Sequence, residues 1–375
     1  LALTSLACRS FAESASQWPQ QIDVFVGGQG GYNTYRIPSI LVTTKGTLLA
    51  FAEGRRAGKG DSGDIDLLLR RSPDNGRTWQ PTQVVWNDGP NTCGNPCPVV
   101  DRTTGTIWLW MTHNLGTDRE DAIIARTSRG TRTVWLSKST NDGATWSPPV
   151  EMTRDIKHPD WTWYATGPGA GIQLKSGRLV IPCDHICDGK PGGVFFSHIL
   201  YSADGGATWK LGGTAGPGVN ECEVVQLTDG SLLLNMRNDG REEHRTRAIS
   251  RSSDGGLTWS PIKHDAPLVE PICQASIRRW PSEAGATNGR ILFSNPATST
   301  ARKEMTVRLS EDDGQTWPWR RRLWAGPSAY SSLAIASDGI VLCLYERGER
   351  TPYEKITLAR LPGAWLTEPE AKGTR

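Results

Sequence analysis

Arginine, tyrosine and carboxylate side chains recur at comparable places along this chain of 375 residues. Arg36 lies in YRIPSI, Glu53 and Arg55 in FAEGRR, and Asp61 in the following GKGDSGD. Glu221 opens an apolar run in NECEVVQL, and Arg237 ends the next one in LLLNMRND. Arg302 follows a run in NPATSTARKEM, Tyr330 precedes one in GPSAYSSL, and Glu346 closes one in LCLYER. A guanidinium binds a carboxylate through paired hydrogen bonds. Any one of these arginines, taken alone, reads as a surface ion pair. Arg36, Arg237 and Arg302 brought to one point would repel each other unless an anion sat between them. Whether they meet depends on the elements that carry them.

Two repeats describe those elements. The first is an octapeptide: SPDNGRTW (72–79), STNDGATW (139–146), SADGGATW (202–209), SSDGGLTW (252–259) and SEDDGQTW (310–317). The second is a turn glycine followed by a short apolar run. It occurs in TTKGTLLAF (Gly46), RTTGTIWLW (Gly105), LKSGRLVIP (Gly177), LTDGSLLLN (Gly230), ATNGRILFS (Gly289) and ASDGIVLCL (Gly339). Runs such as IPSILV, PCPVVD and CEVVQL precede most of these turns, so each pair reads as a β-hairpin whose glycine takes positive φ. A further run leads into each octapeptide, as in IDLLLRRS, TVWLSKS and TVRLS. The unit is strand, glycine turn, strand, loop, strand, octapeptide, strand. Repeated along the chain, it describes an all-β, six-bladed β-propeller with four antiparallel strands per blade. The last unit has no octapeptide, and IDVFVG (22–27) is expected to close it as the outer strand. The expected organisation is a disordered N-terminal remnant or signal tail over 1–20, one propeller domain over 21–362, and a C-terminal tail over 363–375.

Within the octapeptide, the Asp is a short acceptor for turn N–H groups, the Gly permits a left-handed residue, and the Trp is an apolar plug with an N–H handle. The motif reads as a turn clasp. The rival is a set of calcium or carbohydrate sites. Asn141 stands where the other copies have Asp; it keeps a turn acceptor but loses the charge a metal wants. Glycine turns and octapeptides fall at one end of the blades. The arginines, acids and tyrosine named above fall at the other, where the innermost strands converge.

Composition narrows the function. Charged residues are 22% and nearly balanced at +3, without the basic block of a nucleic-acid binder. No apolar run approaches the roughly 18–20 residues of a membrane helix. The start, LALTSLACRS, reads as the end of a trimmed secretory signal, with Cys8 as a lipid-attachment residue, or as a disordered remnant. Cys183 and Cys187, with His185 in CDHIC, invite a zinc site. Only six His stand in the whole chain, so no metal is expected. Buried thiols or one local disulfide, with Cys93 and Cys97 in CGNPC, fit better. His113, His158, His185 and His244 stand beside no nucleophile. Trp161 and Trp163 in DWTWYATGPG either cover a ligand or pack the core.

The motifs YRIP, FAEGR, TGPG (166–169) and YSSL, together with the octapeptide "Asp boxes", resemble those of the exo-α-sialidases (neuraminidases) of glycoside hydrolase family 33. The resemblance spans about residues 20 to 362. It implies a six-bladed propeller that removes terminal sialic acid. It also implies that Arg36, Arg237 and Arg302 hold the sugar carboxylate, that Tyr330 is the nucleophile with Glu221 as its partner, and that Asp61 is the acid/base. Glu346 would brace Arg36, and Arg55 and Asn95 would line the sugar pocket. The chemistry is consistent. The anomeric carbon of sialic acid bears a carboxylate, which a carboxylate nucleophile would meet as a like charge. A neutral tyrosine avoids this, and sialidases are the tyrosine exception among glycosidases. A free phenol has a pKa of about 10, so it needs a base beside it. No cofactor is implied. The implied partners are sialylated glycoproteins, glycolipids or oligosaccharides, with no nucleic acid, at a secreted, periplasmic or cell-surface location. The alternatives are trans-sialidation, intramolecular transfer, and a non-catalytic sialic-acid-binding propeller.

Overall fold

The run LLAFA at 48–52 is buried at every position. A strand apolar on both faces needs a packing partner on each. The computed structural model describes residues 18–187, 192–239, 244–280 and 289–368, and it supplies both partners. Leu48–Arg55 pairs antiparallel with Thr34–Val42 and with Ile65–Ser72, and Gln83–Trp86 completes the ladder. The pattern recurs in Thr92–Val100, Ile107–Asn114, Thr133–Ser139 and Val150–Glu151. It recurs in Tyr164–Thr166 with Ile172–Gln173, then Leu179–Cys187, Val194–Ser202 and Lys210–Ala215. Val219–Gln226, Leu232–Asn238, Thr246–Ser252 and Lys263–Val269 form the next ladder. Ser276–Arg279, Ile291–Pro296 and Lys303–Ser310 lead into the long strand Trp319–Ile335, which ends that ladder and begins another with Val341–Arg347 and Lys355–Leu361. The N-terminal strand Gln20–Val26 pairs antiparallel with Lys355–Leu361, the closure expected of IDVFVG.

Side chains alternate between faces along a strand, so each ladder feeds two apolar layers. Leu49 and Phe51 pack with Leu67, Ile107 and Leu109 toward the next ladder. Leu48 and Ala50 pack with Leu342, Leu344 and Leu358 of the last one. The layers therefore run from ladder to ladder and return to the first.

The octapeptides are clasps. Ser72 Oγ donates to Asp74 Oδ1 at 2.7 Å and accepts from Gly76 N at 2.8 Å. Asp74 also accepts from Thr78 N at 2.9 Å and Thr78 Oγ1 at 2.6 Å. Asn141 keeps the net, accepting from Thr145 N at 3.0 Å and donating to Thr145 Oγ1 at 2.8 Å. Contacts to neighbouring turns put both repeats at one end: Asn75 Nδ2 donates to Asp338 Oδ2 at 2.8 Å and Thr47 Oγ1 to Asp142 Oδ2 at 2.6 Å. The tryptophan handle is used unevenly. Trp209 Nε1 donates to Gly206 O at 3.0 Å, whereas the buried Nε1 atoms of Trp79 and Trp146 have no partner among the described residues.

Two expectations change, and one open alternative is decided. Gly46, Gly105, Gly177, Gly230 and Gly339 take positive φ, but Gly289 does not. A Cβ on Gly289 would lie 2.4 Å from Asp313 N, so close approach of the 310–317 clasp selects glycine there. The stretch set aside as a C-terminal tail begins with a short helix, Gly363–Thr367, whose Leu366 is buried against the last two ladders. Cys93, Cys97, Cys183, Cys222, Cys273 and Cys343 are free thiols; Cys8 lies outside the described residues.

Candidate active site

Four inner strands slip register where a functional side chain leaves them. Thr34–Val42 slips between Arg36 and Ser39, and Ile37 takes φ 58°. A β-branched residue in the left-handed region is strained. Glu346 Oε1 restrains it by accepting Ile37 N at 3.0 Å. Thr92–Val100 slips between Gly94 and Cys97, with Asn95 at φ 52°. Glu53 Oε1 accepts Asn95 N at 2.9 Å, and a Cβ on Gly94 would sit 2.2 Å from that oxygen. Val219–Gln226 slips around Glu221, and Trp319–Ile335 slips around Tyr330. Bulges bend a strand and re-aim its side chains. Here they turn Arg36, Asn95, Glu221 and Tyr330 onto one cavity of about 210 Å³.

All the expected site residues except Glu346 line that cavity; Glu346 lies behind it, fully buried. Its carboxylate accepts Arg36 Nε at 3.2 Å and Nη2 at 3.4 Å, and Tyr330 N at 3.2 Å. Arg237 Nη1 donates to Glu221 Oε2 at 2.7 Å and to Tyr330 OH at 3.3 Å. Arg302 Nη1 donates to Tyr353 OH at 3.0 Å and Nη2 to Ile272 O at 3.1 Å. The guanidinium carbons of Arg36 and Arg302 lie 4.9 and 5.6 Å from the Tyr330 ring centre. Tyr330 OH donates to Glu221 Oε1 at 2.5 Å. Burial, then the Glu221 charge, push the Tyr330 hydroxyl well above its ordinary pKa, against the pull of Arg237, Arg302 and Arg36. At rest the phenol is neutral.

Asp61 faces this pair from a loop. Its Oδ1 accepts Arg55 Nη1 at 2.7 Å and Arg36 Nη1 at 3.4 Å, while its side chain is 60% exposed. Burial would raise its pKa, but Arg55 and Arg36 overcome that and hold it below the usual carboxylate range. Arg55 is itself braced by Glu53 Oε2, 3.0 Å from its Nε. Asn95 Oδ1 accepts from Arg132 Nη2, and the Arg132 guanidinium carbon lies 4.2 Å from the Trp163 ring centre. Trp163 thus belongs to the cavity wall. Trp161 packs behind it, stacked on His185 at 3.6 Å between ring centres.

Arg132, Glu120 and Asp184 were not foreseen. Glu120 starts the short helix Glu120–Ile124, which is inserted between strands and anchored by Ile123 and Ile124 against Trp163. The long, charged loop GTDREDAIIARTSRG was the available signal. Crowding in the cavity, then the Asp61 charge, push Glu120 up to about 7, although water still reaches its side chain. Asp184 sits inside an apolar strand, IPCDHIC, where its type alone marked nothing. A larger cavity of about 570 Å³ opens at the turn end, among Ile40, Val99, Ile172, Val225 and Leu333. No carboxylate lines it, so size does not mark the site.

Residues 46–343 match the family model of the BNR repeat-like domain. The chain is 37% identical to a sialidase of Micromonospora viridifaciens over 91% of its own length and 54% of that relative, so it spans about half of that protein. It is 36% identical to an exo-alpha-sialidase of Aspergillus fumigatus, over 90% of this chain and 86% of the relative. Among solved structures, the Hadza microbial sialidase Hz136 superposes with a TM-score of 0.82 at 30% identity, covering 92% of this chain and 69% of that one.

Proposed function

The chain belongs to the BNR-repeat sialidases, and from that premise we propose that it is an exo-α-sialidase whose ladders are the six blades of a β-propeller. The substrate is a terminal α-linked sialic acid on a glycoprotein, glycolipid or oligosaccharide. Among the described residues, no helix is long and apolar enough to cross a membrane. The reading rests above all on the Tyr330–Glu221 contact at 2.5 Å among Arg36, Arg237 and Arg302.

The three arginines take the sugar carboxylate, which displaces Asp61 from Arg36. Asp61 thereby loses a counter-charge and gains a negative neighbour, and both changes raise its pKa. It can then carry the proton that the leaving oxygen needs. Tyr330 attacks the anomeric carbon as Glu221 takes the phenolic proton. The bond to the aglycone oxygen breaks, and that oxygen receives the Asp61 proton. Arg237 stabilises the developing phenolate charge. In the second half, Asp61 removes a proton from water, the water oxygen replaces Tyr330 on the sugar, and Glu221 returns the proton to Tyr330. Two displacements give retention. Proton NMR of a sialoside digest tests this: α-configured free sialic acid should appear first. A β-configured first product or an anhydro sugar would overturn hydrolysis with retention. No release at all would leave a binding protein.

A further inference from the structure

The cavity has one wall that the proposed steps do not use. Asp184 lies on the strand Leu179–Cys187, paired with Ala165 and Ser197. It is 2% exposed and lines the cavity, and its buried Oδ2 has no hydrogen-bond partner among the described residues. Buried polar groups are almost always satisfied. A carboxyl on a cavity-lining residue with one oxygen unpaired has hydrogen-bonding capacity left for a ligand to satisfy.

The surroundings define which ligand group fits. Glu221 and Glu120 face Asp184 with negative charge, and Arg237 and Arg132 with positive charge. Burial and the two acids outweigh the arginines and hold the Asp184 carboxyl well above the ordinary range. A neutral acid offers one O–H donor and one acceptor. The sugar carboxylate is already placed at Arg36, Arg237 and Arg302, so what reaches this wall is a neutral part of the sugar.

We propose that Asp184 is a specificity-determining residue that donates a hydrogen bond to a hydroxyl or amide oxygen of the bound sugar. This rests on the sialidase reading above. A site built to pair such an oxygen discriminates strongly against analogues lacking it.

Asp184→Ala, Asp184→Asn and the wild type are compared on one fluorogenic sialoside and on the same sialoside with its glycerol side chain shortened. Asp184→Ala should raise KM at least about tenfold with kcat within about threefold, and Asp184→Asn should restore KM to within about threefold. Because Oδ2 has no partner among the described residues, Asp184→Ala should melt at the same or a higher temperature. If the alanine penalty vanishes on the shortened substrate, a side-chain hydroxyl is the partner; if it persists, a ring substituent is. Equal KM in all three proteins, or an asparagine variant as impaired as alanine, would overturn the proposal. A wild type without turnover would instead remove the sialidase reading. Calorimetric binding of free sialic acid to the three proteins then makes the same comparison without catalysis, with the same outcomes supporting or overturning the Asp184 contact.

Discussion

Removing the Glu346 carboxylate should weaken the fold and the anion site together. The carboxylate is fully buried and accepts four bonds: Arg36 Nε and Nη2, Ile37 N and Tyr330 N. Breaking a buried ion pair by deleting one partner costs about 3–5 kcal/mol, because a buried charge is left behind. Each orphaned backbone N–H adds about 1–3 kcal/mol when no water replaces the lost partner. Glu346→Ala opens space beside the cavity for water, which offsets most of that second cost. The residual partner of Arg36 is Asp61, 3.4 Å away and 60% exposed, a weak substitute. The net expectation is about 3–5 kcal/mol for Glu346→Ala. Glu346→Gln retains an acceptor but turns an amide N–H toward Arg36 or a backbone donor, and should cost about 2 kcal/mol. Guanidinium unfolding at constant m-value measures both. The restraint on the strained Ile37 is lost as well, so Arg36 should lose its aim, and affinity for a carboxylate-bearing inhibitor should fall at least about tenfold, some 1.4 kcal/mol. Unfolding free energies within about 1 kcal/mol of wild type, with unchanged inhibitor affinity, would refute the bracing role.

Arg237→Lys keeps the charge but loses the planar fork, so inhibitor affinity should drop about 10- to 100-fold in calorimetry; normal affinity would mean Arg237 does not hold the carboxylate. Tyr330→Phe should retain inhibitor binding while turnover falls by about 10²-fold or more. A fluorosialoside should label Tyr330 in the wild type, and peptide mass spectrometry finding the label on Glu221 would reverse the nucleophile assignment. The Asp204 carboxyl is held at about 2 by the Thr208 hydroxyl and N–H and by Ser202. A depressed carboxyl stabilises the fold above its unfolded pKa of about 4 and loses that contribution as pH falls toward 2. Asp204→Ala should therefore lower the melting temperature at neutral pH, with the gap to wild type closing in acid and sugar affinity unchanged. Selective loss of sialoside binding in a stable Asp204→Ala protein would mark the clasp as a binding site.

What the sequence determined by itself is local. The clasp in SADGGATW is complete within eight residues, so its Ser, Asp, Gly and Thr announce their own hydrogen bonds. The glycine turns announce the hairpins, and doubly buried runs such as LLAFA announce ladders packed on both faces. The motif residues Arg36, Asp61, Glu221, Arg237 and Tyr330 were legible because each stands in or beside a short recognisable motif, turn or run. Tertiary structure decided the rest. Arg36 and Glu346 meet across 310 positions of sequence, and Tyr330 and Glu221 across 109, which only packing of first ladder against last and closure of the inner strands can arrange. Register slips at Ile37 and Asn95 aim the neighbouring groups, yet isoleucine carries no bulge signal of its own. Gly289 is selected by a neighbouring clasp rather than by its own φ. Asp184 is the clearest case. In the sequence it is one acid in an apolar strand; in the fold, burial together with Glu221 and Glu120 raises its pKa well above the ordinary range. Its chemistry belongs to its neighbours, and they come from other ladders.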